Sequence, residues 1–216
     1  MKPPFVITVD GPAASGKGTI ASRLAADHGV QMLDSGLLYR AVGGLLAAGG
    51  KDLDDVEAAT AVAEALTVEQ LSDPAFRTRA AGELASRVAV HVPVRNALFR
   101  LQKAFCLRPE GAVLDGRDMG TVICPEAPAK LFVTARPEVR AERRWKQLTG
   151  QGEPVTLEDI LEDIRKRDER DGGRAASPMR QADDAVLLDT SEMTIDHAAD
   201  AARRIVEAAR ARWERS

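Results

Sequence analysis

The sequence predicts an α/β fold, with five short parallel strands in one sheet and helices on both of its faces. Three observations carry this. Short apolar runs rich in β-branched residues recur along the chain, as buried parallel strands require. Helical patterns separate them, the alternation that builds a parallel sheet. The 36 alanines among 216 residues favour helix between those runs.

The first run is Phe5, Val6, Ile7, Thr8 and Val9, and it stops at the turn signal Asp10, Gly11, Pro12. A helix is expected over 17–28, a second strand around 30–33 and a helix from about residue 37. Ala112, Val113 and Leu114 make a third strand that ends at Asp115 and Gly116. Residues 130–134 make a fourth strand and 185–188 a fifth, with helices at 138–148, 157–171 and 195–213. Between the second and third strands lie about 75 residues of helical pattern, far more than one crossover needs. They predict a separate helical lobe at the C-terminal edge of the sheet, where open α/β sheets bind ligands. Residues 136–178 are charged helix interrupted by Thr149, Gly150, Gln151 and Gly152, the pattern of a helical lid.

Composition excludes several classes. With 44% hydrophobic and 29% charged residues, the chain is not a disordered one. Arginine outnumbers lysine 23 to 7, yet the formal net charge is −3. A broad surface for a nucleic acid polymer is therefore not expected, and anion binding must be local. No apolar stretch is long enough to span a membrane, and the N-terminal residues lead into a strand without a signal-peptide core. Cys106 and Cys124 suggest neither a disulfide framework nor a metal site, so reduced thiols in the cytoplasm are expected. His28, His91 and His197 have no ligand spacing. We expect a cytoplasmic monomer with no membrane and no nucleic acid partner.

Gly11, Pro12, Ala13, Ala14, Ser15, Gly16 and Lys17 fit the G-x-x-x-x-G-K frame between a strand and a helix. Such a P-loop converges backbone N–H groups and a helix N-terminus on phosphate, with Lys17 as the mobile charge. Gly18 stands where Ser or Thr is usual, and Thr19 follows. The variant looks like the loop of nucleoside monophosphate kinases. It leaves Mg²⁺ without an assigned direct ligand, and Thr19, Asp34 and Asp115 are better placed in a second shell.

Asp34, Ser35, Gly36, Leu37, Leu38, Tyr39 and Arg40 follow the second strand. Arginine at a sheet lip can grip phosphate bidentately, although a capped helix with a solvated arginine fits these residues equally well. Asp115, Gly116, Arg117, Asp118, Met119 and Gly120 follow the third strand. Two acids, an arginine and two glycines in six residues face a ligand more readily than a core. Asp115 sits where P-loop enzymes place an acid that organises magnesium, and Arg117 suits charge on a transferring phosphoryl.

Residues 11–19, 34–40 and 115–125 closely resemble bacterial cytidylate kinases. So do Arg143, Arg144, Trp145, Lys146, Gln147 and Leu148, the stretch 167–174 and the stretch 184–190. The resemblance runs from about Phe5 to the last helix. It implies a P-loop NTPase-type fold and phosphorylation of CMP and dCMP by ATP with Mg²⁺. It implies one kinase domain over 1–216. The core is at about 1–36, 110–136 and 180–216, the acceptor-binding lobe at 37–109 and the lid at 137–179. Ser35, Arg40, Ser86, Arg95 and Asp118 match the positions that hold the acceptor and its base. Arg117, Arg167, Asp171 and Arg174 match contacts to sugar and phosphates. Relatives often carry a longer insertion in the lobe; here residues 66–84 fill that gap and read as mostly helix after Pro74.

The base chemistry is consistent with this. A carboxylate such as Asp118 accepts from the cytosine amino group and repels the carbonyl that uracil presents there. In the lid, nine Arg and two Lys face ten acids over 136–180. Most of these make solvated ion pairs. Lys17, Arg117, Arg143 and Arg170 are the expected catalytic cations, since phosphoryl transfer depends on positioning and charge stabilisation. Residues 191–194 are expected to border the adenine. The alternatives are a kinase with UMP or AMP as acceptor, and a non-catalytic nucleotide-dependent switch. No guanine-reading N-K-x-D-like segment favours the switch.

Overall fold

The computed structural model describes residues 2–67 and 69–215. Met1, Val68 and Ser216 lie outside the described residues. They touch the sequence reading only at the N-terminal residues, in the helix expected across 66–84 and at the ends of the stated domain span.

The described strands are β1 (Val6–Asp10), β2 (Gln31–Asp34), β3 (Ala112–Gly116), β4 (Ala129–Thr134) and β5 (Val186–Asp189). They form one sheet in the order β2-β3-β1-β4-β5. The pairs β1–β3, β1–β4 and β4–β5 are parallel, with Val9 opposite Asp115 and Leu131. Every residue of β1 and β3 is buried, which is why these strands read as continuous rather than alternating apolar runs. β5 is an edge strand and largely exposed.

The helices are α1 (Lys17–His28), α2 (Ser35–Ala48), α3 (Val56–Ala65), α4 (Arg79–Val88), α5 (Val92–Cys106), α6 (Pro137–Gly150), α7 (Leu157–Gly172) and α8 (Ile195–Arg215). Two short 3-10 turns, Glu69–Ser72 and Pro74–Arg77, precede α4, and one turn of π-helix, Met119–Ile123, follows β3.

Two boundaries differ from the sequence reading for a local reason. Gly29 N–H donates to Ala26 O and Val30 N–H to Ala25 O, so Val30 is spent on closing α1 and β2 begins one residue later. Asp34 caps α2 by accepting from Leu37 N–H at 3.2 Å, so that helix starts at Ser35 rather than near residue 37.

The chain divides into two compact units, Met1–Met32 with Cys106–Ser216, and Leu33–Phe105. In the first, Ile7, Val9, Val113, Leu131, Val133 and Leu188 point to one face of the sheet. There they meet Ile20 and Leu24 of α1 and Ala198, Ala202 and Val206 of α8. Each fully buried Ile or Leu contributes about 1.5–3 kcal/mol, so this layer is the main stabilising body of the unit. A second cluster joins Ala141 and Leu148 of α6 to Ile160 and Ile164 of α7. In the second unit, α2 packs against α4 and against the Pro74–Arg77 turn, whose Phe76 is buried.

Candidate active site

β1 delivers the chain to residues 11–16, and α1 begins at Lys17. Three helices start under a side-chain cap from Asp55, Thr78 and Thr156, namely α3, α4 and α7. α1 starts at Gly16 with φ 89° and no side-chain cap. Its first N–H groups and the positive end of its dipole are therefore available to an anion. Ser15 is fully buried, and its hydroxyl has no hydrogen-bond partner among the described residues.

Lys17 Nζ lies 2.9 Å from Asp115 Oδ1 at the end of β3. The same carboxylate lies against Gly18, where a Cβ would come within 3.3 Å of Asp115 Oδ2. A cavity of about 530 Å³ opens from this loop. It is lined by residues 14–20 together with Arg143, Gln147, Met193, Thr194 and Ile195. Arg143 lines the same cavity as Lys17 and is held by the last loop. It donates to Thr190 Oγ1 at 3.0 Å, Thr190 O at 2.7 Å and Met193 O at 3.2 Å. Thr190, in turn, places its hydroxyl 3.1 Å from Ser15 O and ties the last loop to the phosphate loop. Of the four residues expected beside a base, Met193 and Thr194 line the cavity.

A second constellation gathers around Asp171, which is 1% exposed on α7. Arg117 Nε donates to its Oδ2 at 2.9 Å, Arg174 Nη2 donates to its Oδ1, and Arg167 Nε is 3.9 Å from Oδ2. Burial alone would raise this carboxyl, but the guanidiniums of Arg117, Arg174 and Arg167 hold it below the usual carboxylate value. One buried anion thus collects three of the arginines chosen from sequence. Arg170 lies on the same helix, with its Nη1 atom buried.

Asp118 is buried and stands at the start of the π-turn. That turn is held from below by Asp10, which sequence reasoning had used only as a strand end. Asp10 accepts from Met119 N–H at 2.8 Å and from Gly120 N–H at 2.7 Å. Burial pushes the Asp10 carboxyl up to about 7, against those two bonds from Gly120 and Met119 and with help from the Asp118 and Asp115 charges. Gly120 has to be glycine, because a Cβ would lie 2.9 Å from Thr8 Oγ1 and 3.3 Å from Asp10 Oδ2.

In the second unit, Ser35 is buried at the first position of α2, and Arg40 follows on the same helix with its Nε buried. Arg95 on α5 is buried, donates to Ala89 O at 3.4 Å and stacks 5.5 Å from the centre of the Tyr39 ring. Ser86 on α4 is 2% exposed, and its hydroxyl has no partner among the described residues. Buried polar atoms left without partners are costly, and ligand sites commonly tolerate that cost.

A family model described as cytidylate kinase matches residues 7–208. The chain belongs to the cytidylate kinase family. A cytidylate kinase of Caulobacter sp. (strain K31) is 69% identical over 209 residues, which is 97% of this chain and 97% of that protein. One of Xanthobacter autotrophicus (strain ATCC BAA-1158 / Py2) is 61% identical over 96% of this chain and 99% of that protein. Among solved structures, an uncharacterized protein from Eubacterium ventriosum ATCC 27560 matches with a TM-score of 0.55 at 13% identity, over 94% of this chain and 98% of that chain. That likeness concerns the fold alone. Within the cytidylate kinase frame, sequence reasoning missed Asp10, Thr190, Arg140 and Asp168. Thr190 and Asp168 stood inside quoted motifs, but nothing in a linear motif says which member faces inward.

Among the described residues, no group of three or more His, Cys, Asp or Glu could hold a metal ion by itself. The donors at the loop are all oxygens, namely the Asp115 carboxylate and the Thr19 hydroxyl. This set suits a hard ion such as Mg²⁺ that keeps waters and phosphate ligands. No helix is long and apolar enough to cross a membrane among the described residues.

Proposed function

We propose that this kinase transfers the γ-phosphoryl group of ATP directly to a phosphate oxygen of CMP or dCMP, giving ADP and CDP or dCDP. The observation that carries the donor half is the cavity running from the uncapped N-terminus of α1 and Lys17 to Arg143 and Ile195. It combines an anion-binding helix start with apolar surface from Met193, Ile195 and Ala198, as a nucleotide requires. The loop Gly11 to Gly18 holds the triphosphate by the backbone N–H groups of its residues other than Pro12, and Lys17 leaves Asp115 to follow the transferring phosphoryl. Asp115 and Thr19 would help hold a Mg²⁺ ion through its waters, and the ion would neutralise phosphate charge.

For the acceptor, the assignments are made residue by residue. Ser35 and Arg40 hold the CMP phosphate side, and Ser86 and Arg95 hold the base. Asp118 accepts from the cytosine amino group. Arg117, Arg167 and Arg174 exchange part of their hold on Asp171 for nucleotide phosphate and sugar. Arg170 adds charge to the transition state. The acceptor is already an anion, so no general base is needed. Support comes from the family membership and from the buried polar atoms of Ser86 and Arg40. The enzyme acts as a monomer in the cytoplasm and requires no polymer or membrane partner.

The test is chromatography of ATP incubated with enzyme, with and without CMP. CDP should appear only with both nucleotides. Tight ATP binding with no CDP formed would reduce the protein to a binding module.

A further inference from the structure

Arg140 of α6 is a buried cation, 3% exposed, whose guanidinium reaches three other elements. Its Nε donates to Ala135 O at 2.8 Å, just past β4. Its Nη1 donates to Ala13 O in the phosphate loop at 3.2 Å and to Asp168 Oδ1 at 3.1 Å. Its Nη2 donates to Asp168 Oδ2 at 2.5 Å. The next loop residue, Ala14, is held in the left-handed region at φ 59°. Ala14 also packs against the apolar cluster formed by α6 and α7. The two helices therefore grip the loop twice, by a carbonyl and by the adjoining methyl group.

Asp168 sits on α7 between Arg167 and Arg170 and shares a helix face with Ile164 and Asp171. A bidentate arginine–carboxylate pair fixes orientation as well as distance. Holding Asp168 against Arg140 sets the rotation of α7 about its axis. That rotation decides where its arginines point. Lysine could not do this, because an ammonium group cannot span Ala135 O, Ala13 O and both carboxylate oxygens at once.

We propose that Arg140 and Asp168 are positioning residues that lock the phosphate loop to α7, so that donor phosphates and the α7 arginines are presented in one fixed geometry. The inference rests on the donor-site reading above. It gives the pair a kinetic role distinct from a purely structural one. A buried ion pair replaced by apolar groups is often neutral for stability, so stability alone cannot report that role.

The experiment compares kcat and KM for ATP in Asp168→Asn, Asp168→Glu, Arg140→Lys and the double variant Arg140→Met/Asp168→Leu, each scaled to its folded fraction by circular dichroism. Asp168→Asn should lower kcat by about tenfold and raise KM for ATP several-fold, the scale of a small misplacement of reacting groups. Asp168→Glu should recover part of both, and Arg140→Lys should not recover either. The double variant should fold like the parent and remain slow. A folded Asp168→Asn or double variant with both parameters within about twofold of the parent would overturn the proposal. If the single variant does not fold, the double variant decides. If neither folds, Arg140→Lys decides by the same criterion. A parent enzyme that makes no CDP would fail the functional reading itself, which keeps the two failures apart.

Discussion

At Gly18 the absence of one side chain leaves room for a carboxylate. Asp115 Oδ2 occupies the space that a Cβ would crowd, and its other oxygen holds Lys17 at 2.9 Å. The departure from the usual Ser or Thr was visible in the sequence, but the acid beside it was not, because Asp115 is 97 positions away along the chain (115 − 18). In the proposed function, Asp118 is the residue on which base selection turns. It is buried, and removal of its carboxylate leaves the cytosine amino group without its acceptor. We expect Asp118→Ala to raise KM for CMP by at least about tenfold while KM for ATP stays nearly constant, the scale of one lost charged hydrogen bond. Discrimination against UMP should relax in parallel. Steady-state kinetics with CMP and UMP check this, and an unchanged CMP-to-UMP ratio would remove Asp118 from base recognition.

Among elements, the π-turn Met119–Ile123 joins two groups that the sequence left unconnected. The motif 115–120 stood out in the sequence, because acids, arginine and glycine cluster after a strand. That Asp10 would hold the turn from the neighbouring strand was not legible, since only the β1–β3 pairing brings Asp10 opposite Gly116. This clamp has a pH signature. The Asp10 carboxyl is raised from 3.8 to about 7, so between those values the folded protein keeps a proton that the unfolded chain releases. Its contribution to stability is full below pH 3.8 and is lost as pH rises towards 7. Asp171, held low by its arginines, acts the other way and only in more acidic solution. His28 is lowered by burial first and then by Arg210, so it loses stability as pH falls through its own range. The comparison must therefore be a difference between proteins. Urea melts of the parent and Asp10→Asn at pH 5 and pH 7.5 isolate it. The parent's advantage should be larger at pH 5, by at most about 2.5 kcal/mol for the two units between pH 5 and the raised value. A pH-independent difference would show that Asp10 titrates normally.

Across the whole molecule, the five-stranded parallel sheet followed from five short apolar runs and the helices between them, whereas the order β2-β3-β1-β4-β5 did not. Those signals are local, and burial of both faces of β1 and β3 makes them strong. The phosphate loop was equally legible, because its glycines, lysine and flanking elements are contiguous. Less was legible in the charged helices. Residues 136–180 carry eleven basic and ten acidic side chains, and a linear pattern cannot sort the exposed pair Lys146–Glu142 from the buried pair Arg140–Asp168. The sorting is done by tertiary contacts with the loop and with Asp171. A net charge of −3 thus conceals a division of labour. Many arginines form solvated pairs, while Arg117, Arg140, Arg167 and Arg174 are gathered on buried or half-buried acids of α7. The most direct test of the cytidylate assignment is a competition assay. CMP, dCMP, UMP and AMP are supplied at equal concentration with limiting ATP, and the consumption of each monophosphate is followed. CMP and dCMP should disappear first; faster loss of UMP or AMP than of CMP would contradict the assignment.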